Sequence, residues 1–81
     1  MHSPLAFTFH ARTMMLEREI QEDWVLDTVN KPDFTEIKRE DEKHYLKTIP
    51  DAGEKTLRVI VNPSGSSSRV VTVFFDRRVQ P

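Results

Sequence analysis

His10, Arg12, Arg58 and Arg69 are the side chains whose types could do chemistry on a phosphate. In the stretch FTFHARTMMLEREI, His10 falls where a strand gives way to a helix. There it would sit by the positive end of the helix dipole and by several backbone N–H groups with no partner in the helix. A neutral imidazole at that place can serve as a general base, and a protonated one can donate to an anion. Arg12 beside the same N-terminus would complete a phosphate site. The structural alternative is that His10 caps the helix or packs at the sheet edge. Arg58 and Arg69 lie on or beside apolar strands. They read either as a phosphate clamp on an open sheet face or, for Arg58, as a pair with Glu36, Glu54 or Asp76, since an unpaired buried guanidinium is costly. Lys38 and Lys47 could join such a face, although lysines on edge strands also block aggregation. Asp76–Arg78 reads as a basic finish to that surface or as an exposed terminus.

Much chemistry is excluded. The two glycines, Gly53 and Gly65, cannot make a glycine-rich phosphate loop. There is no cysteine, no HExxH, and His2, His10 and His44 share no metal-ligand spacing. Neither a metal nor a cofactor is expected. Met14, Met15 and Trp24 stand at helical spacings and read as core.

These side chains need elements to position them. Leu5, Phe7 and Phe9 alternate with Ala6 and Thr8, the period of a half-buried strand. From Ala11 the period changes: Ala11, Met14, Met15 and Arg18 follow one helix face for about two turns. A second helix begins at Ile20 or Gln21, with Glu22 and Asp23 in its first turn and Trp24, Val25, Leu26 and Val29 as its stripe. Asn30 could close it in the left-handed conformation, and Pro32 prevents continuation. FTEIKRE and KHYLKTI read as a charged hairpin near a sheet edge, and PDAG as a turn. TLRVIVN places Leu57, Val59 and Val61 on one face, with Arg58, Ile60 and Asn62 on the other. After a Ser-rich loop over 63–68, RVVTVFFD reads as a central strand covered on both faces. The expected fold is α+β: two N-terminal helices on one face of a mainly antiparallel sheet of four to five strands.

The chain of 81 residues is expected to be one domain, 1–81, burying roughly 60–65% of its unfolded surface. No segment approaches the ~20 apolar residues that span a bilayer, and the start lacks a signal-peptide pattern. With no cysteine, the expected setting is cytoplasmic, away from membranes. The net charge of −1 is unevenly distributed, −5 over residues 1–42 and +4 over 43–81. The basic half could meet phosphates or an acidic partner.

The pattern Phe7, His10, Ala11, Arg12, Met15, Arg18, Ile20 resembles the opening of a family of small bacterial domains of unknown function, related to BrnT-type toxins, which are RelE-like ribonucleases. EDWVLDTVNKPD is similar to that family's second helix, and LRVIVN followed by VVTVFFDRR to its closing hairpin. The family often has Gly after the Arg18 position and Ser or Thr at the second helix's N-cap; here these are Glu19 and Gln21. The resemblance implies metal-independent RNA cleavage: His10 as base or acid and Arg58 as its catalytic companion, Arg12 and Arg69 on the phosphate, and Lys47 and Arg77 as outer contacts. It also implies a small antitoxin partner and action on RNA or ribosome-bound message.

Two functions follow. One is a toxin-like endoribonuclease. The other is a non-catalytic domain on the same scaffold that binds a protein or RNA, since fold does not fix function. The near-neutral charge and the acidic first half favour the second. The discriminating feature is whether His10, Arg12, Arg58 and Arg69 converge on one site or are dispersed and locked in ion pairs.

Overall fold

The computed structural model describes residues 5–63 and 68–79. Its elements run β1 (Leu5–Phe7), α1 (Phe9–Glu17), α2 (Glu22–Asn30), β2 (Phe34–Arg39), β3 (Glu42–Ile49), β4 (Lys55–Asn62) and β5 (Ser68–Phe75). The five strands form one sheet in the order β1-β5-β4-β3-β2, antiparallel except where β1 runs parallel to β5. Both helices lie on one face, α1 over β5 and α2 over β3 and β4. This is the expected α+β layer. No helix among the described residues is long and apolar enough to cross a membrane.

The alternation in β4 divides the molecule in two. Leu57, Val59 and Val61 are buried against Ala11, Met15, Ile20 and Val25 of the helical layer. Arg58, Ile60 and Asn62 therefore face the opposite side. β5 does not alternate simply. Ile60 pairs with Thr72 but Val61 pairs with Val70, so Val71 is the extra residue of a β-bulge. The bulge turns both Val70 and Val73 toward the helices, where both are fully buried. The expectation that β5 is covered on both faces is corrected: Arg69 and Val71 are exposed, and the run of valines reflects the bulge. β3 is likewise an inner strand, leaving β2 alone at that edge.

Helix ends explain two further corrections. Thr8 is the N-cap of α1, its hydroxyl accepting from the Ala11 N–H at 3.1 Å while donating to the Val71 carbonyl at 3.0 Å. Phe9 thus begins the helix instead of finishing the strand and is 88% exposed. Asn30 remains helical, and the chain leaves α2 through Lys31 at φ −137°. A left-handed residue closes α1 instead: Glu19, at φ 55°. Ile20 N–H bonds to the Met15 carbonyl at 2.8 Å and Glu19 N–H to the Leu16 carbonyl at 3.4 Å, a Schellman closure with Ile20 and Met15 buried together. Glu19 occupies the place that favours glycine. The PDAG turn is as expected, a short 3₁₀ segment at Pro50–Ala52 followed by Gly53 at φ 73°.

Candidate functional site

The side of the sheet that carries no helix holds a cluster built on Arg58. Register sets it there: Arg58 lies between Leu46 on β3 and Phe74 on β5. The residue is only 6% exposed. A guanidinium so buried must be paired on several sides. Its Nε donates to Asp76 Oδ2 at 2.7 Å, and its Nη1 donates to Glu36 Oε1 at 2.8 Å and to His44 Nδ1 at 2.7 Å. An arginine can only donate, so His44 Nδ1 accepts and the ring proton sits on Nε2, which donates to Glu42 Oε1 at 2.9 Å. Glu36 and His44 are direct cross-strand partners on β2 and β3.

Two further cations close the cluster. Lys38 stands 3.5 Å from Glu36. Arg78 reaches Asp76 through Nε at 3.2 Å, through Nη2 at 3.3 Å and through its backbone N–H at 3.0 Å. Asp76 itself follows β5, its N–H held by the Thr56 carbonyl at 2.8 Å. Arg78, and after it Arg58, hold the Asp76 carboxyl down at about 2 against the desolvation of its site. The Arg58 hydrogen bond lowers the Glu36 carboxyl, His44 lowers Glu42, and Asp76 raises Arg78. Arg58, Arg78 and Lys38 face Glu36, Asp76 and Glu42, with His44 neutral between them. The cluster is charge-balanced and has no spare cation for a phosphate. Thr56 Oγ1 is buried beside it without a partner among the described residues.

The other candidates lie elsewhere. His10 is exposed in the first turn of α1. It neither caps the helix, which Thr8 does, nor packs at the sheet edge. Because α1 covers the helix face and Arg58 the opposite one, the whole sheet separates His10 from Arg58. Arg12 pairs with Glu22 at 2.7 Å and lies over the Phe7 ring at 4.2 Å from its centroid, tying α1 to α2 and β1. Lys47, paired in register with Leu57, faces the helices; it donates to the Lys31 carbonyl at 3.0 Å and approaches Asp27 and Asp33. Arg69 shares Arg58's face and is exposed. It pairs with Asn62, four residues along β4 from Arg58 and so about 13 Å away. Arg77 is exposed in the turn after β5. His10, Arg12, Lys47 and Arg69 do not join Arg58, whereas Lys38 and Arg78 do, through Glu36 and Asp76; a groove on the helix side, lined by Arg12, Met15, Leu16, Ile20 and Glu22, holds no second candidate beside Arg12. Among the described residues no group of three or more acidic or histidine side chains could hold a metal ion.

Glu36 and Asp76 were foreseeable as partners of Arg58, but Glu54 is absent from the cluster. His44 carried no signal of its own; only the hairpin register brings it opposite Glu36. A family model described as Domain of unknown function (DUF4258) matches residues 7–75. No curated protein and no solved structure matches the chain.

Proposed function

We propose that this chain, which belongs to the DUF4258 family of domains of unknown function, is a non-catalytic interaction domain that engages a protein partner. One observation carries the reading. Arg58, the cation best placed to stabilise a phosphorane, is buried and held through Nε and Nη1 by Asp76, Glu36 and His44, and the sheet stands between it and His10. Cleavage of an RNA backbone needs a base, an acid and a charge stabiliser around one phosphate. Here these groups are dispersed, and Arg12 and Arg58 are committed to carboxylates. A protein partner suits the surface better than RNA does. The chain carries −5 over its first 42 residues, which repels phosphates there.

The second reading is a BrnT-type ribonuclease toxin held by an antitoxin, on the resemblance of the segment from Phe7 to Ile20. It would have to work from the helix side, with His10 as base or acid and Arg12 released from its exposed pair with Glu22. Induced expression separates the two. The interaction domain leaves growth unaffected for wild type and for His10→Ala, Arg12→Ala alike. Arrest by wild type that the double variant relieves, at matched soluble levels, would favour the toxin.

A further inference from the structure

The edge strand β2 carries a second feature that the cluster does not explain. Five of its six residues are exposed, including Ile37 at 72% and Phe34 at 44%. A free edge presents unpaired N–H and C=O groups to any chain that can align with them. Ile37, paired with Lys43, points to the helix side, and Glu36, paired with His44, to the opposite side. Lys38 reaches Glu36 along the strand and shares its face. Glu36–Ile37–Lys38 is therefore self-complementary in charge about Ile37.

We propose that β2 is a self-pairing edge, with a second copy of this chain as its occupant. The two β2 strands run antiparallel about a two-fold axis at Ile37. A two-fold normal to the sheet keeps faces matched, so the two position numbers in each pair must sum to an even value. Centring on Glu36 sets Glu36 against its own copy, and centring on Lys38 does the same for lysine. Both arrangements oppose like charges. Centring on Ile37 sets Glu36 opposite the other copy's Lys38 twice and places the two exposed isoleucines side by side. Both copies keep their helices on one side of a ten-stranded sheet. The irregular pairing between Ile37 and Arg39 and the charge of Lys38 are ordinary edge guards. Here the charges of Glu36 and Lys38 also discriminate among registers, rejecting the like-charge alignments and admitting this one.

The chain's lack of cysteine supplies the test. Directly opposed residues bring Cβ atoms about 4.5–5.5 Å apart, within reach of a disulfide after small adjustment. Ile37→Cys is expected to form a covalent dimer under mild oxidation, far faster than Leu16→Cys, a still more exposed control on α1. Sedimentation of the unmodified chain is expected to show a concentration-dependent dimer. Ile37→Arg and Lys38→Glu each weaken it by at least about tenfold, while Lys38→Arg preserves it. Far-UV circular dichroism and urea midpoints confirm that these surface variants stay folded. A strictly monomeric chain, equal cross-linking at positions 37 and 16, or a dimer insensitive to Ile37→Arg overturns the inference; the last would place the contact on another face. The inference is independent of the functional reading, because RNA cleavage is scored separately.

Discussion

Arg58 Nε lies 2.7 Å from Asp76 Oδ2, in a contact where both side chains are at least nine-tenths buried. It fastens the middle of β4 to the residue that follows β5. Removing one partner of such a pair leaves the other charge buried and uncompensated, which costs about 3–5 kcal/mol. Arg58→Ala is therefore expected to lower the unfolding free energy by that amount in urea titrations. Arg58→Lys does not restore it, because a point charge cannot hold Asp76, Glu36 and His44 from one place. A loss within about 0.5 kcal/mol would show the cluster to be decorative.

Asp76 also predicts an acid limb. Its folded value, about 2, lies below its ordinary 3.8. A depressed carboxyl contributes stability that is complete above the unfolded value and disappears as pH falls through the folded one. Wild type is expected to lose its lead over Asp76→Asn progressively between about pH 4 and pH 2. Unfolding both proteins in urea across that range measures it. A lead that stays constant down to pH 2 contradicts the assignment.

Glu19 should be improvable. Its left-handed conformation costs a residue bearing Cβ roughly 1–2 kcal/mol, part of which glycine would return in unfolded-state entropy. Glu19→Gly is expected to raise stability by about 0.5–1 kcal/mol. Glu19→Ala, which keeps Cβ, should leave it unchanged. Thermal midpoints of the three proteins decide it.

At the start of α1 the prediction is an asymmetry between near neighbours. Thr8→Ala removes the cap and the tie to the bulge at Val71, costing about 1–2 kcal/mol. The His10 side chain makes no hydrogen bond among the described residues, and His10→Ala should stay within about 0.5 kcal/mol of wild type. If His10→Ala were the costlier change, His10 would be structural.

What could be read from the sequence was what local periodicity carries. Leu57, Val59 and Val61 against Arg58 and Ile60 set the two faces of β4, and the change of period at Ala11 marked α1. Phe9 misled because Thr8, a good cap, breaks the strand one residue sooner than alternation suggests. The valines of β5 misled because a bulge, a non-local event in the pairing with β4, shifts Val70 onto the core side. The cluster was half legible. Charge logic offered Glu36, Glu54 or Asp76 as partners of Arg58 against a phosphate clamp, and two of the three hold it, but His44 needs the β2–β3 register. The separation of His10 from Arg58 needed the order of strands and the side on which the helices pack, neither of which local pattern carries.

The central claim is that this domain binds without cutting RNA. Its most direct test is primer extension on a defined message in a bacterial translation extract, with purified chain or its His10→Ala variant added. The account predicts that neither protein introduces cleavage ends beyond those of the extract alone. New cleavage ends with wild type that vanish with His10→Ala would contradict it and place a working ribonuclease site on the helix side.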